Sequence, residues 1–374
     1  MFKYRKDIGK NKTSTDYTTA IIAIVLSIFG VFMVASATRG GDGSYVIKQS
    51  FAVFLGICFM FILSFINYEL FLNTKFCIFL FISSLALLTL TLLIGNGEGN
   101  QSWIALEGLS LNVQPSEIVK VLFIITFAKH LDSVKGRINK IQNVALLLLH
   151  AGVIIGFVML QGDLGSALVF MFIALVMCFT QGLSVWYILG GSAVITLAAP
   201  YLWQFLKPYQ QQRILVGFNP ESDPLGYGYQ QILSKTAVVN GGIFGVGYMD
   251  STVSPTIPYN HTDMIFSVIA EELGVIGVVF LMAMLIFLIM RITKTAFQAR
   301  KDIGATICAG VVALIIAQAA ENIGMTLGVL PIIGITLPFV SYGGSSVLSI
   351  FIALGIVMSV SRYKSKYFFE REPS

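Results

Sequence analysis

Charge is what this 374-residue chain has least of: Asp, Glu, Lys and Arg make up 11% of it, less than half of the roughly 25% usual in soluble domains. That scarcity, beside a hydrophobic fraction of 56%, excludes an ordinary water-soluble fold and leaves most of the surface to lipid. Cysteine is sparse as well. Cys58, Cys77, Cys178 and Cys308 fall inside apolar runs at scattered spacing, which excludes a disulfide framework and a zinc pattern. His130, His150 and His261 are far apart in sequence and offer no metal-ligand spacing. Linkers rich in Pro or Ser, charge blocks, low-complexity tracts and self-similar repeats are also lacking, so residues 1–374 read as one membrane domain.

What is present is a series of apolar runs of spanning length, about 20 residues. Seven are clear: Tyr17–Ala37, Lys48–Asn67, Phe76–Gly95, Gln142–Leu160, Ile265–Met290, Ile303–Leu327 and Ser345–Val360. Pro115–Leu131, Leu164–Thr180 and Ser184–Leu206 are less clean, and with them the expected fold is an all-α polytopic bundle of about ten transmembrane helices. Ala35-Ser36-Ala37 resembles a signal-peptidase site, but the first apolar run exceeds the roughly 7–15 residues of a secretory signal, so it reads as an uncleaved helix. Ten passes put both termini on one side. Eighteen of the 24 Lys and Arg residues then fall on that side and five on the other, which makes both termini (1–16 and 361–374) cytoplasmic. The net charge of +5 follows from this topology and gives no reason to invoke nucleic acid.

That orientation makes 203–262, between helices 7 and 8, the one large extracytoplasmic loop. Its Pro208, Pro220, Pro224, Pro255 and Pro258, with Gly226, Gly228, Gly241, Gly242, Gly245 and Gly247, suit a folded cap over a cavity. Ionisable residues inside the spans are the next signal, because each costs about 2.5–3.5 kcal/mol at a helix centre. Glu117 and Lys120 share a helical face, either as a mutually neutralised pair or as a cavity wall. Asp163 is placed to cap the following helix. Of Glu271 and Glu272, at least one must point into the protein, and Glu321-Asn322 reads as a packed hydrogen-bonding centre. Asp263 sits at the outer start of a helix, where Thr262 can be the N-cap and the positive dipole end favours a carboxylate. The stretch from Leu330 to Ser346 is too apolar for a water loop and too broken by Pro and Gly for a helix. Such backbone is tolerated at membrane depth only against protein or a wet cavity.

Seven segments in order then carry a family resemblance: Gln114-Pro115-Ser116-Glu117, Gly162-Asp163-Leu164-Gly165-Ser166, Asp223-Pro224-Leu225-Gly226, Gly241-Gly242-Ile243-Phe244-Gly245, His261-Thr262-Asp263, Ala270-Glu271-Glu272-Leu273-Gly274 and Pro338-Phe339-Val340-Ser341-Tyr342-Gly343-Gly344-Ser345-Ser346. Over nearly its whole length the chain resembles the SEDS proteins (shape, elongation, division and sporulation), which include RodA and FtsW. The resemblance implies a peptidoglycan glycosyltransferase of the bacterial cell membrane that polymerises lipid II into nascent lipid-linked glycan, partnered by a class B penicillin-binding protein. It puts the essential acid on Asp263 and substrate-binding positions on Trp103, Glu117, Lys120, Asp163, His261 and Ser345. Leu206-Lys207-Pro208-Tyr209-Gln210 and Asn322-Ile323-Gly324-Met325-Thr326 are more similar to RodA than to FtsW, with a sporulation-type paralogue still open. Asn100, Met264 and Ile333 depart from the family pattern, and none of these removes an ionisable group.

Joining two lipid-linked sugars requires a base for the acceptor hydroxyl and positive charge for the departing prenyl diphosphate. Asp263 is assigned the first role, and Lys120, Arg213 or a divalent cation (Mg or Mn) the second. An α-linked donor and β-linked product, as the family implies, make the transfer inverting. Two rivals stand: a flippase for lipid-linked precursor, which the helices and intramembrane charges suit equally, and a non-catalytic scaffold that activates the transpeptidase.

Overall fold

The helices begin and end where local chemistry dictates. The computed structural model describes residues 16–41, 43–95, 101–106, 111–206, 208–226 and 228–363. Most of the two expected tails, along with Asn100 and Lys207, lies outside the described residues. Asp16 caps α1 (Tyr17–Ala37) by accepting the Thr18 N–H at 3.1 Å. Asn73 does the same for α3 (Thr74–Ile94), which follows α2 (Ser44–Phe65). Pro115 opens α4 (Pro115–Ser133) at a position where its missing N–H costs nothing. Next come α5 (Ile141–Leu160), α6 (Leu164–Thr180) and α7 (Val185–Trp203), then two shorter helices, α8 (Pro208–Phe218) and α9 (Tyr229–Gly241). The chain closes with α10 (Ile265–Phe297), α11 (Asp302–Thr326) and α12 (Gly344–Arg362). A two-stranded hairpin between α3 and α4, β1 (Ile104–Leu106) with β2 (Leu111–Val113), was not expected from the sequence.

Seven of these helices are long and apolar enough to cross a membrane: α1, α2, α3, α5, α10, α11 and α12. Helix α4 carries Glu117, Lys120, Lys129 and Asp132, and α6 has 17 residues. Exposed Phe51, Phe54, Ile62, Ile78 and Phe79 clothe the outer faces of α2 and α3 in apolar surface, whereas α11 and α12 are buried along most of their length.

Contacts sort the connections into two ends. At one end Arg291 bonds Asp16 at 2.6 Å, Lys301 pairs with Glu69, Lys135 with Asp302, and Asn139 bonds the Gly182 carbonyl. At the other, Arg39 donates to the Ser251 carbonyl, Asn260 to the Ala37 carbonyl at 3.1 Å, and Gln49 to the Ser341 carbonyl at 3.0 Å. The segment expected as a folded cap is therefore folded, with two helices of its own, and docked on α1 and α10.

Its docking explains a break in α10. Gly274 leaves helical geometry (φ 63, ψ −159), which frees the carbonyls before it and the N–H groups after it. The loop after α9 takes up both sets: Val246 and Gly247 donate to the Glu271 and Glu272 carbonyls, while Val275 and Ile276 donate to the Gly242 and Ile243 carbonyls, at 2.9–3.3 Å. Backbone at this depth has little water to fall back on, so the two breaks satisfy each other. A Cβ at Gly245 would sit 2.1 Å from the Glu272 oxygen at φ +80. Gly245→Ala is therefore expected to destabilise the purified protein by at least ~2 kcal/mol, read as a lowered Tm in detergent. Gly152→Ala, at a helical position with nothing within 4 Å, should leave Tm equal or slightly raised.

Candidate functional site

The site grows from three helix ends that bring polar groups into an apolar bundle. On α4, Glu117 and Lys120 are 3% and 0% exposed and bonded at 2.8 Å, and Gln318 of α11 donates to the other Glu117 oxygen at 3.3 Å. The pair is mutually neutralised, as one of the two sequence readings has it, and it also forms part of a wall shared by two helices. Asp163 caps α6 through its Oδ1, which accepts the Ser166 N–H at 2.9 Å, as expected. Its Oδ2 accepts from Gln114 Nε2 at 2.9 Å, tying α6 to the start of α4. The Gln114 N–H donates in turn to Ser345 Oγ at 3.1 Å, in the first turn of α12. Glu117, Lys120, Asp163 and Ser345 are thereby brought together.

Asp263 approaches the same region from the long loop. The N-cap of α10 is Met264, without a side-chain cap bond, and the Thr262 hydroxyl donates to the Tyr259 carbonyl at 3.1 Å. The expected capping by Thr262 is thus corrected. Tyr259, at φ 56, turns the chain so tightly that the N–H groups of Thr262, Asp263 and Met264 all converge on its carbonyl. The Asp263 side chain is consequently spared capping duty and reaches to within 3.4 Å of where a Cβ on Gly334 would lie, in the broken segment before α12. Asn322 of α11 fixes this junction by donating from one Nδ2 to the Asp263 and Ile335 carbonyls, both at 2.8 Å. Asp263 is half-buried as a residue, and its carboxyl is closely surrounded by protein. Burial pushes it up to about 6, with Arg213 nearby opposing and Asp163 adding to the rise. Arg213, on α8, also lines a cavity of about 180 Å³ with Tyr229, Gln231 and Ile332.

The remaining candidates lie at the margins. His261 packs against Tyr45 and Tyr342 at centroid distances of 4.7 and 5.6 Å, and burial lowers its affinity for a proton. Its carbonyl accepts the Tyr342 N–H, so it braces the loop before α12. Trp103 is half-buried beside β1, on a segment held by the Gln101 N–H to the Gln161 carbonyl.

Glu271 and Glu272 are structural. One Glu271 oxygen accepts from the backbone of Thr252 and Val253 and from Asn240, and the other from Ser254, at 2.6–3.1 Å. Glu272 accepts from Ser36 and Ser251. Sequence reasoning missed Gln318, although its spacing of three and four from Glu321 and Asn322 on an otherwise apolar helix was a usable signal. Among the described residues no group of three His, Cys, Asp or Glu side chains is close enough to hold a metal ion.

A family described as "Cell cycle protein", comprising FtsW, RodA and SpoVE, matches residues 16–366. The chain belongs to the FtsW/RodA/SpoVE family. Similar relatives include the probable peptidoglycan glycosyltransferase FtsW of Geobacter metallireducens, 35% identical over 92% of this chain and 94% of that one. Another is the peptidoglycan glycosyltransferase MrdB of Escherichia coli K12, 34% identical over 95% of each chain. Among solved structures, a chain from a study of polymerization and crosslinking by a peptidoglycan synthase complex superposes with a TM-score of 0.81 at 32% identity, covering 93% of this chain and 98% of that one. The rod shape determining protein RodA of Thermus thermophilus superposes at 0.71 and 28%, covering 95% of this chain and all of that one. In FtsW/RodA/SpoVE terms the chain is a multi-pass membrane protein, and identities of 35% and 34% to the two named branches do not separate them.

Within this family member, removing Lys120 alone leaves the buried Glu117 carboxylate with Gln318 as its one hydrogen-bond partner among the described residues. Lys120→Met should therefore cost about 3–5 kcal/mol, seen as a lower Tm. Lys120→Met combined with Glu117→Met should recover most of it. A double variant as unstable as the single one would show that the two side chains do not act as a pair.

Proposed function

We infer that this chain is a peptidoglycan glycosyltransferase that polymerises lipid II at the outer face of the cell membrane, with Asp263 as the base. The observation that carries this reading is the place of Asp263: a half-buried acid at the outer start of α10, against Gly334 of the broken segment, with Arg213 and Asp163 as charged neighbours and its carboxyl raised to about 6. The names of the relatives support the reaction class.

Ten crossings by α1 to α7 and α10 to α12 are supported by the two sets of end contacts. The charge tally of eighteen against five supports cytoplasmic termini and an extracytoplasmic Asp263. In the reaction, Asp263 takes the proton of the acceptor hydroxyl as its oxygen bonds to the anomeric carbon, and the carbon–oxygen bond to the prenyl diphosphate breaks with its electron pair. Arg213 offsets the charge that develops on the diphosphate, and Lys120, sealed against Glu117, acts on it only through its field. A divalent cation there would need the diphosphate oxygens among its ligands, as is usual for Mg. Substrate tails remain in the bilayer and enter sideways. A class B penicillin-binding protein is the expected partner, supported by the synthase complex among the structural relatives. Likeness to RodA in Asn322-Ile323-Gly324-Met325-Thr326 favours a role in elongation.

Asp263→Asn should lower polymer formation from purified lipid II at least about 10²-fold. Its folding should not suffer. The folded carboxyl binds its proton up to about pH 6, against an ordinary value of 3.8, so the wild-type protein loses stability as pH rises through that window. The Asn variant escapes this loss and should melt at or above the wild-type temperature at neutral pH. Substantial polymerisation by a well-folded variant would sink the assignment.

A further inference from the structure

Five buried polar atoms without a hydrogen-bond partner among the described residues lie on the segments of α4, α6 and α11 around Glu117, Lys120 and Asp163: Ser116 Oγ, Ser166 Oγ, Gln318 Oε1, Glu321 Oε2 and Asn322 Oδ1. The contacts from Gln318 to Glu117 and from Gln114 to Asp163 tie these segments together. Three of the five are acceptors on α11 at positions i, i+3 and i+4, and so share one face of that helix. Each leaves a desolvation penalty uncompensated if it stays unmet. Among the described residues no protein donor reaches these acceptors: Lys120 and Gln318 Nε2 each donate to Glu117, Gln114 Nε2 donates to Asp163, and Asn322 Nδ2 spends both its hydrogens on carbonyls.

Glu321 is the most demanding of the three. It is 9% exposed, makes no ion pair among the described residues, and has Lys120 and Asp163 as its charged neighbours. The sequence suggested a packed hydrogen-bonding centre at Glu321-Asn322, but only Asn322 performs that role.

We propose that Glu321, flanked by Gln318 and Asn322, is the acceptor face of the sugar-binding site and takes hydrogen bonds from hydroxyl or acetamido N–H groups of the lipid-linked sugar. The proposal rests on the polymerase reading and assigns a substrate-binding residue to it. The chemistry follows from the imbalance. A wall of unmet acceptors recognises a donor-rich ligand, and a sugar headgroup carries several O–H groups and an amide N–H on a small frame. Because this carboxyl is buried without a partner, removing it relieves the protein of a desolvation cost while depriving the substrate of a contact.

The test compares wild type, Glu321→Ala and Glu321→Gln as full-length protein with its transpeptidase partner, measuring steady-state polymerisation of purified lipid II and Tm. Glu321→Ala should raise KM about tenfold or more with kcat changed less than about threefold, and should leave Tm unchanged or higher. Glu321→Gln, which keeps one acceptor oxygen, should recover most of the KM. A lowered Tm with KM intact would mean a structural residue. A fall in kcat at constant KM would mean a role in the chemical step, and unchanged kinetics would mean a chamber filled by water alone. Each of these overturns the proposal. A parallel binding titration with the same lipid II separates it from the polymerase reading. If wild type makes no polymer, that reading fails, while weaker lipid II binding by Glu321→Ala still supports the contact and an unchanged Kd rejects it.

Discussion

A charge sealed inside an apolar bundle must find its partner within the protein, and in this molecule that constraint fixes the arrangement of everything near Asp263. Lys120 is fully buried and is tolerated because Glu117 lies one turn away at 2.8 Å. Gln318 then holds Glu117 from α11, which brings Glu321 and Asn322 on the same face of that helix toward Lys120 and Asp163. Asn322 in turn clamps the backbone of Asp263 against the broken segment before α12. One buried cation thus sets a chain of contacts from α4 through α11 to the carboxyl proposed as the base. The pair is weak evidence for overall stability, since buried ion pairs often do no better than apolar packing. Its contribution is to position.

A second mutual dependence holds the long loop in place. The break at Gly274 and the loop after α9 each leave backbone groups that the other satisfies, and Glu271 and Glu272 bind the segment from Ser251 to Ser254 below it. Two adjacent intramembrane acids, which on their own invite a catalytic reading, are spent here on holding a cap. Asp263 is distinguished from them as a half-buried residue, where both glutamates are fully buried, and its carboxyl accepts no hydrogen bond from the described residues.

Much of this was legible in the sequence because lipid imposes simple rules. Apolar runs of spanning length mark the helices to within a few residues, although α2 starts at Ser44, before the expected Lys48, and α10 runs on to Phe297. The charged positions Glu117, Lys120 and Asp163 were visible for the same reason, as costly exceptions in apolar stretches. What could not be read was the division of labour. Whether Asp163 caps a helix or lines a cavity depends on the direction of each carboxyl oxygen, and one does each. That Met264 and not Thr262 heads α10 depends on the left-handed turn at Tyr259, which no residue type there demands. The hairpin at Ile104–Leu106 and Leu111–Val113 is too short for alternation to announce it. Gln318 was passed over because an uncharged amide is a weak signal in one sequence.

The central claim is that the Asp263 carboxyl, raised by its surroundings to about 6, accepts the proton in glycosyl transfer. The pH profile of lipid II polymerisation by the purified protein with its partner tests it most directly. A rate that is flat above about pH 6 and falls tenfold per unit below it is the expected result. A rate indifferent to pH between 5 and 8, with the protein still folded throughout, would contradict it.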